Sequence, residues 1–198
     1  MGLNLTYSEG QTPLDEDEKE GLLIKSVSLK SELDEFEQLG IERANEWLLR
    51  QKLSIDEILS EDFVKMLHKQ MFGSVWRWAG EFRRTNKNIG VDKFLIGTEL
   101  KNLFDDCAFW ITNHSFSEDE IAVRFSHRIV SVHPFANGNG RHSRLIADAL
   151  IYKGFGKSYF TWGSSNLVKQ GDVRSSYLEA LRDADKLDYR KLILFARS

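Results

Sequence analysis

With a single cysteine among 198 residues, the chain can form no internal disulfide, so packing and hydrogen bonds must hold its fold. Cys107 lies in the helical pattern LKNLFDDCAFWI and reads as a small buried apolar side chain. A nucleophile is the weaker reading, since nothing near it in sequence would lower its pKa. Long apolar runs are also lacking, and nothing approaches the roughly 20 residues that span a bilayer. The N-terminal MGLNLTYSEG has neither the basic nor the apolar stretch of a secretory signal, so a cytoplasmic protein is expected, although Gly2 does sit in the short acylation pattern M-G-x-x-x-[ST]. An excess of positive charge is missing too. The 27 Lys and Arg against 30 Asp and Glu leave a net charge of −3, unlike the basic domains that bind nucleic acid directly. No repeat, low-complexity segment or clear linker interrupts the chain.

What remains is an ordinary globular balance, 41% hydrophobic and 29% charged, in a length that suits one domain with a sizeable core. Residues 1–28 are polar, with the acidic run DEDEKE, and read as an arm packed locally through Leu22, Leu23 and Ile24. Residues 29–198 read as a single domain. Ser28 or Ser31 is placed to cap a helix over SELDEFEQLGIERANEWLLRQK, with an apolar stripe of Leu33, Phe36, Ile41, Ala44, Trp47 and Leu48. Ser54 with Glu57 forms a capping box at the start of SIDEILSEDFVKMLHKQMF, whose stripe is Leu59, Phe63, Leu67 and Met71. His68 lies beside that stripe and reads as structural. Strand-favouring Trp, Phe, Ile and Val then appear between glycines, which predicts a two-stranded flap over residues 85–96 leaning on the helical body. Helical spacing returns in ELKNLFDDCAFWITN and in EDEIAVRFSHRIVSV, where Ser115 with Glu118 and Ser117 with Glu120 are alternative caps. It resumes in RLIADALIYKG, VRSSYLEALRDAD and YRKLILFARS. The expected class is mostly α with one small β-hairpin flap.

One of the two prolines falls in HPFANGNGRHSR, residues 133–144. Pro134 should stop the upstream helix at Val132 or His133. Gly138, Asn139 and Gly140 are the residues most able to adopt positive φ, and alternating backbone signs there would gather N–H groups into an anion-binding concavity. The next helix starts at once, so its partly positive end faces the same place. Arg141 and Arg144, one turn apart at that end, oppose the helix dipole unless an anion joins them, and guanidinium groups suit a polyphosphate. The competing reading is a surface turn whose arginines pair with carboxylates elsewhere. His133, an imidazole titrating near neutrality, would serve there as a proton acceptor. A metal cluster of His127, His133 and His142 matches no familiar zinc spacing.

The segment resembles the Fic domain signature, HPF-x-[D/E]-G-N-G-R-x-x-R, matching at positions 133–135, 138–141 and 144. MFGSVWRWAGEFR resembles the stretch before the family's flap, RTNKNIGVDKF the flap, and RSSYLEALRDAD the C-terminal helix. The resemblance thus covers about residues 30–198, and the N-terminal stretch TPLDEDEKEGL resembles the subgroup called mobile mystery protein B. It implies a Fic-type helical bundle and transfer of AMP from ATP, with Mg²⁺, to a target protein hydroxyl. By position, His133 would be the general base and Phe135 the loop anchor. Gly138, Asn139 and Gly140 would line the anion hole, and Arg141 and Arg144 would hold the β- and γ-phosphates. Ile89, Gly90 and Val91 of the flap would clamp the target. Arg141, where the kinase-like Doc branch has lysine, favours nucleotidyl over phosphoryl transfer. The family's Asp or Glu is Asn137 here, a weaker Mg²⁺ ligand, which keeps open a nucleotide-binding regulatory or toxin-like protein with little transfer. The family's inhibitory pattern [S/T]-x-x-x-E-[G/N] has no strict copy, but Glu35 and Glu37 are candidates for an intramolecular inhibitor. A small inhibitor protein or a homodimer is also compatible, and no membrane partner is expected.

Overall fold

The computed structural model describes residues 13–163 and 170–198, which leaves Gly2 and the first part of the polar arm outside the described residues. In chain order the helices are α1 (Glu16–Lys19), α2 (Lys30–Arg50), α3 (Ile55–Ile58), α4 (Glu61–Phe72), α5 (Ile96–Thr112), α6 (Glu118–Val132), α7 (Asn139–Ala149), α8 (Gln170–Ala184) and α9 (Arg190–Arg197). A 3₁₀ turn precedes α5, and a π-helical turn, Leu150–Gly154, prolongs α7. The class is mostly α, as expected, but no strand forms among the described residues. None of the described helices is long and apolar enough to cross a membrane.

Helix α6 is the central post. It packs on α5, α7 and α9, while α2 lies on α4 and α4 touches α7. Val123, Phe125 and Ile129 of α6 and Ile146, Ala147 and Leu150 of the α7 run are fully buried, and the core sits between these two helices. Cys107 of α5 is in that core, where burial pushes its thiol up to about 12, so it is no nucleophile.

Three helical expectations change in detail. The α2 stripe runs through Leu33, Glu37, Gly40, Ala44 and Leu48, while Phe36 is exposed. The register turns on Gly40, because a Cβ there would stand 2.2 Å from Met71 O. The close α2–α4 crossing therefore needs glycine, and it draws Glu37 inward. Neither Ser28 nor Ser31 caps α2. Leu29 holds the cap position, and the Glu32 carboxylate accepts from Ser28 N at 3.0 Å and Leu29 N at 3.1 Å. The helix expected from Ser54 is two helices. Ser54 caps α3 as expected, the chain breaks at Leu59, and Ser60 caps α4 by accepting from Phe63 N at 3.2 Å. At α6 the cap is Ser117, which accepts from Glu120 N at 3.3 Å.

Candidate active site

Residues 133–144 link α6 to α7. Helix α6 ends at Val132, and His133 takes a left-handed conformation, φ 56° and ψ 59°, immediately before Pro134. A non-glycine residue rarely holds these angles without support, and here they reverse the chain so that the imidazole folds against the protein. His133 is only 5% exposed. Its Nδ1 faces Val130 O at 3.4 Å. Burial pulls its pKa down to about 4, with the Arg83 and Lys87 cations adding to the effect and the Val130 carbonyl opposing it. The expectation of an imidazole titrating near neutrality is thus corrected. Withdrawal from water disfavours the charged form, and the ring is neutral at pH 7.

Beyond His133 the loop is pinned at successive residues. Phe135 is fully buried and stacks on His68 at 3.7 Å between ring centroids. Asn139 brackets Phe135: its Oδ1 accepts from Phe135 N at 2.9 Å and its Nδ2 donates to Phe135 O at 2.8 Å. Gly80 N donates to His68 Nδ1 at 3.0 Å, so the ring proton sits on Nε2, which donates to Asn137 O at 3.1 Å. His68 is thereby a structural pin beneath the loop. The Asn137 side-chain oxygen accepts from Gly138 N at 2.6 Å. Gly138 has φ 79°, and a Cβ there would stand 2.6 Å from the Phe72 ring. The alternation of backbone signs expected over residues 138–140 is not found. Gly138 alone of the three has positive φ, because α7 already begins at Asn139 and Gly140 is helical. One left-handed residue leading into a helix still presents that helix's first N–H groups to the loop.

The two arginines find different partners. Arg141 lies over the Phe72 ring, its guanidinium carbon 4.9 Å from the centroid, and its Nη1 pairs with Glu37 Oε2 at 2.7 Å. The other Glu37 oxygen accepts from Trp76 Nε1 at 2.6 Å. Glu35, two residues earlier, is exposed. Arg144 lies over Tyr177 at 5.1 Å. One turn further, Asp148 accepts from Phe160 N at 3.2 Å and from Trp162 Nε1 at 3.1 Å. Burial pushes the Asp148 carboxyl up to about 7 against those donors and the nearby Arg144 and Arg197 cations. Sequence reasoning missed Asp148, because only the chain's return through residues 160–162 encloses it.

The expected β-hairpin flap is an irregular loop. Residues 84–92 form turns and bends, and Lys93–Leu95 a 3₁₀ turn. Two strands alone bury too little to stand by themselves, and here the backbone groups are satisfied elsewhere. Val91 N donates to Val132 O at 3.3 Å, and Val91 O accepts from Arg83. Ile89 and Gly90 stay exposed. The polar arm covers the outer side: Lys87 Nζ pairs with Asp15 Oδ2 at 2.8 Å and Glu18 Oε2 at 2.6 Å, and Thr85 Oγ1 donates to Asp15 Oδ2 at 2.7 Å.

Among the described residues no three His, Cys, Asp or Glu side chains gather as a metal site. His127 bonds Tyr189 Oη and Asp185, and His142 bonds Val64 O, so neither turns to His133.

Residues 58–151 match the model of the Fic/DOC family. The chain is 24% identical over 174 residues to protein adenylyltransferase Fic of Aedes aegypti, covering 86% of this chain and 33% of that protein. It is 25% identical to protein adenylyltransferase Fic of Nematostella vectensis, covering 86% and 39%. The chain thus spans about a third of the length of these curated relatives. In fold it is similar to Fic-1 (residues 134–508) of C. elegans, with TM-score 0.64 and 22% identity over 80% of this chain and 46% of that one. It is also similar to the BepC protein of Bartonella tribocorum with bound AMPPNP, with TM-score 0.65 and 16% identity over 96% and 93%.

Proposed function

Residues 58–151 match the Fic/DOC family model, and from that premise we propose that the protein transfers AMP from ATP to a Ser, Thr or Tyr hydroxyl of a target protein. The observation that carries the reading is the loop after α6. A buried, neutral His133 stands beside the flap, and the chain then turns through Gly138 directly into the α7 N-terminus, which bears Arg141 and Arg144. Relatives named adenylyltransferases, and the AMPPNP bound to BepC, support it. The working unit is residues 29–198, with 1–28 as an arm.

The chemistry balances without a covalent enzyme intermediate. As the target oxygen attacks the α-phosphorus of ATP, His133 takes its proton, the bond from that phosphorus to the bridging oxygen breaks, and pyrophosphate leaves. With Nδ1 facing Val130 O, the accepting atom is Nε2. The backbone N–H groups of Asn139 and Gly140, with the α7 dipole and the guanidinium groups of Arg141 and Arg144, hold the β- and γ-phosphates, while the Gly138 N–H is engaged by Asn137 and Gly138 serves by its positive φ. The negative nucleotide also raises the His133 pKa from its low value and so strengthens the base. The Asn139 side chain is committed to Phe135, so its role is to shape the loop. Ile89 and Gly90 offer the strand-like docking edge, while Val91 is turned to the body.

The residues present do not fit a protein-held Mg²⁺. Asn137, where the family pattern carries a carboxylate, has its oxygen engaged by Gly138 N–H. Mg²⁺ arriving with ATP would take its ligands from phosphate and water.

A second reading, a nucleotide-binding regulatory or toxin-like protein with little transfer, is favoured by the Glu37–Arg141 pair. Glu37 holds the cation that would meet a phosphate, which makes it the intramolecular inhibitor in preference to exposed Glu35. It engages the first of the two arginines in the motif. Because the contact lies within one chain, it requires neither a separate inhibitor protein nor a second copy.

ATP labelled at the α-phosphate tests the proposal through auto-modification and pyrophosphate release. Label should enter the wild-type chain, fail to enter His133→Ala although that variant still binds ATP, and enter Glu37→Gly faster. Undiminished transfer by His133→Ala overturns the mechanism. ATP binding without transfer, in both wild type and Glu37→Gly, selects the second reading.

A further inference from the structure

Arg83 lies just before the flap and is 5% exposed. Its guanidinium serves three backbone carbonyls, two in the flap and one at the His133 turn. Nε donates to His133 O at 2.7 Å, Nη1 donates to Thr85 O at 2.9 Å, and Nη2 donates to Val91 O. Nη1 also approaches Asn86 Oδ1 at 3.5 Å, and the backbone N–H of Arg83 donates to Pro134 O at 2.9 Å. A planar fork of fixed donors can hold three carbonyls in one arrangement, which the compact ammonium of lysine cannot reproduce.

The groups so joined are unusual in themselves. His133 is held at positive φ, and Gly90, at φ 94°, comes so close that a Cβ on it would lie 2.6 Å from His133 Cβ, 3.0 Å from Val132 O and 3.1 Å from Arg83 Nη2. Arg83 is therefore the third body at the point where the flap meets the imidazole. The ladder bonds of a hairpin, which would have stiffened the flap from within, are replaced by a fork that stiffens it against the His133 turn.

We propose that Arg83 is a positioning residue for the transfer reaction, locking the flap at Val91 to the carbonyl of His133 so that the docking edge and the base move as one body. This rests on the reading of His133 as the base. Substrate hydroxyl and imidazole must meet within hydrogen-bond reach, and a flap that slid independently of His133 would present the hydroxyl out of register. The charge of Arg83 acts in addition. Beside burial, the groups acting on the His133 ring include the Val130 carbonyl and the Arg83 and Lys87 cations, so removing one cation raises the ring's pKa, while exchanging it for another cation does not.

Arg83→Lys keeps the charge and loses the fork, whereas Arg83→Met loses both. ATP affinity by calorimetry, auto-modification at saturating α-labelled ATP, and the His133 ring titration by NMR in the nucleotide-free protein separate the roles. In Arg83→Lys, turnover at saturating ATP should fall by about tenfold or more, with ATP affinity and ring titration unchanged. In Arg83→Met turnover should fall similarly and the His133 titration should move upward. Wild-type turnover in Arg83→Lys overturns the proposal. So does a parallel loss of ATP affinity, turnover and melting temperature, which is the signature of a residue that only supports the fold. If the wild type itself transfers no AMP, the catalytic reading fails, and the coupling is judged alone by amide exchange. Arg83→Lys should deprotect Val91 and broaden the His133 ring signals together, and an effect on one without the other overturns it.

Discussion

The turn at residues 133–138 and the flap at residues 84–92 are both irregular chain, yet they are held differently. Much of the turn is held from within or from directly beneath. Asn139 clasps Phe135 four residues away, Asn137 caps its own neighbour, and His68 and Phe72 close the underside. The flap has an internal brace, Asn86, whose Nδ2 donates to Asp92 Oδ2 at 2.8 Å and whose Oδ1 accepts from Lys93 N at 2.8 Å. Its position on the body is fixed by Arg83 on the inner side, which ties it to His133, and by Asp15 and Glu18 on the outer side, some 70 residues away in sequence. A turn whose contacts are local carries its shape in a short motif, whereas a loop fastened from a distance does not.

The largest expected effect comes from truncating an anchor on each side of that contrast. Phe135→Ala should cost about 3–5 kcal/mol, read from the urea midpoint, because it opens a cavity in the packed underside of the turn. Ile89→Ala in the flap, 45% exposed in the native chain, should stay within about 0.5 kcal/mol. Equal costs would erase the distinction between the two regions.

Acid should attack the turn next. His133 has a folded pKa near 4 against an ordinary 6.5, so the folded state binds fewer protons between those values. Its contribution is fully present above pH 6.5 and is lost as the pH falls towards 4, a change of about 3 kcal/mol. Asp148, raised to about 7, acts in the opposite sense. The measurement is therefore the difference in unfolding free energy between wild type and His133→Asn, in which Asp148 cancels. A difference that does not change from pH 7 to pH 4 would contradict the buried, neutral imidazole.

Gly90→Ala should cost only about 1–2 kcal/mol, because the flap can lift to relieve the strained contact. Transfer should nevertheless fall sharply while ATP affinity holds, the reverse of the pattern expected for a residue of the turn. A variant with wild-type turnover would mean that the close approach of Gly90 to His133 has no functional weight. The smallest effect belongs to the arm. Asp15→Asn should change stability by less than about 1 kcal/mol and shrink in high salt, as expected for a half-exposed ion pair. Its readout is faster amide exchange confined to the flap.

Much of this protein is legible in its sequence. The period of the helices, the caps at Ser54 and Ser117, the stop at Pro134 and the cation-rich turn all follow from interactions within a few residues, and the turn also carries the family resemblance. Two errors came from reading apolarity as burial. Phe36 is apolar yet exposed, with Glu37 buried in its place, and the run of Ile, Val and Phe near Gly90 favours strands where none forms. In both places a partner distant in sequence decided the outcome.

By itself, then, the amino-acid sequence determined the helical class, the turn at HPFANGNGR and the residue types placed to meet a phosphate, since these depend on backbone freedom and local hydrogen bonding. The tertiary structure alone decided that Glu37 would meet Arg141, that burial would bring His133 down to a pKa of about 4, and that Arg83 would bind the flap to the base. Each of those depends on desolvation or on a contact across tens of residues. Neither is set until the helices have packed.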